Sequence, residues 1–122
     1  MLPLDLDRPW KERALIARIW RGWTRGEDAE AYVRYLEEVA APDSLGTPGN
    51  RGFSILHRPD GDREEFVTIS LWESLEAVRA FAGEDVEKAV FYPEDDRYLV
   101  ERELTVSHFE YLATGTGPAP AA

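Results

Sequence analysis

The chain has 122 residues, with 14 Lys+Arg against 24 Asp+Glu, so its formal net charge is −10 with both histidines neutral. That length makes a single domain, which removes roughly two-thirds of its unfolded surface from water, and a hydrophobic content of 43% supplies the core. The acidic balance, without a Lys/Arg cluster longer than two residues, disfavours nucleic acid and anionic membranes as partners, and the absence of cysteine excludes disulfides, thiolate metal sites and thiol nucleophiles.

Residues 1–13 read as an N-terminal extension: two aspartates stand among Met1–Pro9 where a secretory signal needs a basic start and an apolar core. No uncharged apolar stretch approaches the ~20 residues that cross a bilayer, so a cytoplasmic protein is the expectation. Residues 14–112 form the domain, and residues 113–122, ending Thr-Gly-Thr-Gly-Pro-Ala-Pro-Ala-Ala, form a tail expected to be flexible.

Ala14 to Trp20 is short, rich in β-formers and stopped by Gly22, which predicts a first strand. Thr24 and Glu27 have capping-box spacing, and behind them Ala29, Tyr32, Val33, Leu36, Val39 and Ala40 mark one face of a helix ending before Pro42. A loop over residues 43–50 leads to a strand over 52–58, an Asp60-Gly61 hairpin turn and a partner strand over 64–72. Ser74 caps a second helix with Leu75, Val78, Phe81 and Ala82 inward, terminated by Gly83. A short helix over 85–91 stops at Pro93, and the acidic turn Glu94-Asp95-Asp96 precedes a last strand within residues 101–112.

The order β-α-β-β-α-β predicts an α+β, ferredoxin-like fold, a four-stranded antiparallel sheet with both helices on one face. The uniformly apolar sets Leu15/Ala17/Ile19 and Val67/Ile69/Leu71 suit the helix-covered side. The opposite sets, Ile16/Arg18/Trp20 and Phe66/Thr68/Ser70/Trp72, then form an open aromatic face large enough to require a cover, which predicts a homodimer through that face.

The chain resembles the antibiotic biosynthesis monooxygenase family of dimeric α/β-barrel proteins. The matching segments are Ile16–Gly22, Tyr32-x-x-Tyr35-Leu36, Thr47–Gly52, Glu65-Phe66 with Leu71–Ser74, Ala80–Gly83, Tyr92–Asp96 and Val106-x-His108-Phe109-Glu110. The resemblance implies a pocket between sheet and helices, with Trp72 facing it. It also implies oxidation of electron-rich phenolic or polyketide-like substrates whose deprotonated form reacts with dioxygen directly, with no cofactor.

Within that frame Trp72, Trp20 and Phe66 supply stacking, Arg18 partners a substrate anion, and His108, able to titrate near neutral pH, serves as the base. Ser70, Tyr32, Phe81 and Tyr92 complete the candidate substrate-binding set, beside the plain reading of each as core, interface or surface turn. His108 shares a face with Leu104 and Val106 only if no bulge intervenes. Three consecutive acids at Glu94–Asp96 lack the spacing of a hard-cation loop, so no metal is expected, and neither a P-loop nor a Gly-x-Gly-x-x-Gly sequence implies a nucleotide cofactor. Two other readings stay open. Related barrels that degrade haem use a first-strand asparagine, a third-strand tryptophan and a second-helix histidine, of which this chain has only Trp72. The other is a non-catalytic dimer that binds a small apolar ligand.

Overall fold

A computed structural model describes residues 14–118. The extension over 1–13 and the tail residues 119–122 lie outside the described residues, while 112–118 carry no regular element. Strands β1 (Leu15–Arg25), β2 (Asn50–Asp60), β3 (Arg63–Trp72), β4 (Leu99–Arg102) and β5 (Ser107–Tyr111) form one antiparallel sheet. Its order is β2-β3-β1-β4, with β5 also on β1. The helices are α1 (Ala29–Tyr35), α2 (Ala41–Leu45), α3 (Leu75–Ala82) and α4 (Asp95–Tyr98). This is the ferredoxin-like arrangement, with its last strand broken in two: β4 pairs Gly22–Thr24, and β5 pairs Leu15–Ile19.

The local signals hold unevenly. Thr24 does not cap a helix; it sits in β1 and its hydroxyl donates to the carbonyl of Arg25, while a 3-10 turn over Gly26–Asp28 leads into α1 without a side-chain cap. The helical path does not end before Pro42. A π turn over Leu36–Ala40, in which the Ala41 N–H reaches the Leu36 carbonyl, joins α1 to α2. The wider turn shifts carbonyls that the proline ring would meet in a regular helix, where Pro42 also has no N–H to donate. In the hairpin the central pair is Gly61-Asp62, not Asp60-Gly61: Asp60 pairs with Arg63, and only Gly61 has φ positive (+62°), the pattern of a type II′ turn. Ser74 caps α3 as expected, its Oγ accepting from the Ala77 N–H at 3.2 Å, and Gly83 ends it at φ +92°.

The helix predicted over 85–91 is absent. Residues 86 and 87 form a single turn, closed by the Lys88 N–H on the Asp85 carbonyl (3.1 Å), and Lys88 then bridges Thr105 beside the broken last strand, with the Ala89 N–H on the Leu104 carbonyl (3.0 Å) and the Val106 N–H on the Glu87 carbonyl (2.8 Å). The helical turn lies instead at α4, where the sequence read as an acidic surface turn.

The phase of the sheet is the main correction. Tyr32, Tyr35, Leu36, Phe66 and Leu99 form the core, with Trp20 and Ile55 packed against it, so Arg18, Trp20, Phe66, Thr68, Ser70 and Trp72 face the helices. Leu15, Ala17, Ile19, Val67, Ile69 and Leu71, predicted to face inward, lie on the outer side with Leu56 (48% exposed) and Phe109 (58%), the small Ala17 being buried there at 5%. Strand alternation separates two sets without saying which is covered. Here the mixed set is inside because its polar members line a cleft, and the aliphatic set forms the outer face. The sheet's open face therefore does not contain Arg18, Trp20 or Phe66.

Candidate functional site

A cleft with an empty volume of about 570 Å³, including its mouth, opens between sheet and helices. The part of it open to a water-sized group is smaller, about 70 Å³. Strand alternation brings Arg18 and Trp20 to it from β1, Thr68 and Ser70 from β3 and Phe53 from β2; α1 adds Tyr32 and Tyr35, and α3 adds Phe81. Phe91, Tyr92 and Asp95 close the far side. The walls are chiefly aromatic, and the polar groups sit at a few fixed points.

Arg18 is one of them. It is 5% exposed, yet among the described residues no carboxylate stands within ion-pair distance of it. Its guanidinium donates to the carbonyls of Val86 (2.6 Å) and Lys88 (2.8 Å) and lies over the Phe81 ring at 6.0 Å. Burial lowers its pKa to about 10. A guanidinium has five N–H donors. A cation held by neutral carbonyls, with donors to spare and no counter-ion among the described residues, favours an anion in the space it borders.

His108 pairs across the sheet with Arg18, its Nε2 lying 3.2 Å from the guanidinium. Since arginine only donates, Nε2 accepts and the proton of the neutral ring is on Nδ1. Burial, and then the Arg18 charge, push His108 below the ordinary histidine range. The ring therefore stands behind Arg18 and does not border the cleft. The break between β4 and β5 resolves its phase: Leu104 is 68% exposed, whereas Val106 borders the cleft.

The aromatic candidates divide in two. Trp20, Phe81, Tyr32 and Tyr92 border the cleft, as does Ser70. The Trp20 indole N–H donates to the Glu103 carbonyl (2.8 Å), its ring meets Phe91 edge-on at 6.0 Å, and it overlies Gly22, where any Cβ would collide with it. Trp72 and Phe66, each 0% exposed, stand behind the wall. Trp72 donates to Ser70 Oγ (2.8 Å) and packs on Phe81 at 5.4 Å, fixing two wall residues from behind. Phe66 packs edge-on against Tyr32 at 5.0 Å.

Phe53, Thr68 and Phe91 were not among the residues the sequence offered for the cleft, and Asp95, read there as part of an acidic turn that could gate the cavity or simply lie at the surface, is placed inside it. Asp95 is 4% exposed, borders the cleft and accepts from the hydroxyls of Tyr32 (2.9 Å) and Tyr35 (3.3 Å) and from the Tyr92 N–H (2.8 Å). Burial and the Asp95 charge push both phenols far above the ordinary tyrosine range. Tyr92, raised by burial and by its hydrogen bond to Asp43, ties this side of the cleft to α2. The i, i+3 spacing of Tyr32 and Tyr35 was the available signal, but nothing in the sequence indicates that α4 would place a carboxylate beneath them.

No group of three or more metal-ligating side chains gathers among the described residues, and no helix there is long and apolar enough to cross a membrane.

Among solved structures similar in fold are two each described as a "putative antibiotic biosynthesis monooxygenase". The one from Bacillus cereus is 15% identical with a TM-score of 0.52, covering 87% of this chain and 99% of that one. The one from Nitrosomonas europaea is 17% identical with a TM-score of 0.55, covering 82% and 90%. Identities this low speak to fold alone. No functionally curated protein matches the chain. The sequence model of the antibiotic biosynthesis monooxygenases matches residues 16–90, more than half the chain, and the protein belongs to that family.

Proposed function

We propose that the protein is a cofactor-independent oxygenase that binds a small aromatic or polyketide-like anion in the cleft between sheet and helices. The observation that carries this reading is Arg18, a buried guanidinium on the wall of an aromatic cleft with no carboxylate partner among the described residues. A phenol or enol placed with its oxygen against that cation ionises more readily than in water, because the cation stabilises the charged form. Its proton leaves through the open mouth. Trp20, Phe81 and Phe91 confine the ring, and the electron-rich anion combines with dioxygen at carbon. Loss of water from the resulting hydroperoxide turns a CH2 group into a ketone, consuming one O2 per turnover. In this reading His108 is a positioning residue that holds the guanidinium.

Family membership also supports a homodimer, since family members are generally dimeric, and the aliphatic outer face with Leu56, Phe109 and Tyr111 is the surface it would use. A soluble, cytoplasmic location agrees with this reading.

Oxygen uptake by the purified protein, measured with electron-rich phenols and anthrone-type ketones without added flavin or metal, tests the proposal. Acceleration that is lost in Arg18→Met supports it. Tight binding of the same compounds without any acceleration overturns catalysis in favour of a non-catalytic binding dimer. One observation favours that alternative: the Nε2 lone pair of His108, the expected base, is engaged by Arg18.

A further inference from the structure

The end of the cleft formed by Asp95 and the two α1 tyrosines has a polarity opposite to that of Arg18. Asp95 takes part in no ion pair among the described residues; neutral donors alone satisfy its carboxylate. Each tyrosine oxygen has one hydrogen, and here both hydrogens are committed to Asp95. What remains for a ligand at Tyr35, the more exposed of the pair at 7%, is oxygen lone pairs. Such an oxygen accepts a hydrogen bond and cannot return one. It rewards a donor and leaves a carbonyl or ether oxygen facing lone pairs, with its lost hydration unreplaced.

We propose that Tyr35, polarised by Asp95, is a donor-selecting subsite, so that the ligand is a hydroxylated aromatic with its anionic oxygen at Arg18 and a second hydroxyl donating to Tyr35 Oη. The inference rests on the anion-binding reading of the cleft and adds to it a specificity-determining contact for the ligand's second oxygen. Tyr35 contacts the ligand; Asp95 acts through Tyr35 and is a positioning residue. Tyr32, 1% exposed, shares the carboxylate and keeps it in place when Tyr35 is altered.

Isothermal titration of the full-length protein tests this with four probes: 4-hydroxybenzoate and 6-hydroxy-2-naphthoate, which set the hydroxyl at two distances from the carboxylate, and the methyl ether of each. The expected result is a preference of about tenfold for the hydroxyl over the ether in at least one pair. Tyr35→Phe should abolish the preference while 2-naphthoate still binds. Asp95→Asn releases a tyrosine hydrogen by donating from its own amide, so it should lower or invert the preference, which a purely structural role would not do. If 2-naphthoate binds but neither pair shows a preference, or Tyr35→Phe retains it, this inference is overturned and the anion-binding cleft stands. If no carboxylate binds, both fall.

Discussion

Burial of Arg18 carries a cost that an anionic ligand should return. The depression of its pKa to about 10 arises from loss of hydration alone and corresponds to roughly 3 kcal/mol against the charged state. With Arg18 5% exposed, little solvent screening reduces that figure. A carboxylate entering the cleft replaces the missing hydration, whereas a neutral carboxamide of the same shape does so only weakly. The affinity difference between 2-naphthoate and 2-naphthamide should therefore approach 2 to 3 kcal/mol, or about 30- to 150-fold. Titration calorimetry at neutral pH reads this directly. Arg18→Met should reduce the ratio to about twofold, and Arg18→Lys should retain part of it, since an ammonium keeps the charge but lacks the planar fork that reaches Val86 and Lys88. Arg18→Met loses three hydrogen bonds but also a buried charge, so its stability should change by no more than about 2 kcal/mol, checked by thermal melting. Equal binding of acid and amide by the unaltered protein would refute the reasoning.

Three other expectations concern pH, packing and assembly. Because the folded state lowers the His108 pKa, the stability this residue contributes is present above about pH 6.5 and is lost as pH falls through the lower folded value. Melting temperature should thus drop on acidification below pH 6.5, by less in His108→Gln, and a drop of identical size in both proteins would exclude His108 as the source. Trp72→Phe should cost about 2 kcal/mol through the vacated volume and the lost bond to Ser70, yet leave aromatic binding within a few fold, because Trp72 lies behind the wall; denaturant unfolding and titration separate the two effects. Phe109→Glu, at a position 58% exposed, should leave the folded chain within about 0.5 kcal/mol of the original but convert a dimer to monomers in light scattering, and unchanged mass would rule out the outer sheet face as the interface.

The contrast between Ser74 and Thr24 shows what short-range sequence can establish. Ser74 caps its helix as its spacing predicts, since the hydroxyl and the N–H it satisfies are three residues apart and nothing distant competes. Thr24 has equally suitable spacing, but β1 extends to Arg25 by pairing with β3, and the ladder overrides the cap. Periodicity likewise carried the two main helices, the hairpin and the element order, and hence the fold, because those patterns reflect covered faces within one segment. The family resemblance was legible on the same segments, now matched over residues 16–90.

Tertiary structure decided the face and the site. Two alternating sets on a strand are equivalent until helices settle on one, and apolarity alone pointed to the wrong set, because a cleft places Arg18, Thr68 and Ser70 on the covered side. The broken last strand turned His108 toward Arg18, a contact between residues 90 positions apart. Asp95 meets Tyr32 and Tyr35 only because α4 folds against α1 across some 60 residues of chain. By itself the sequence determined the main strands and the two longer helical segments, since those preferences act within a few residues, but not the loss of a helix over 85–91, the turn of α4 or the break in the last strand. The partners of a buried charge depend on packing between distant segments, and only the folded chain could assign them.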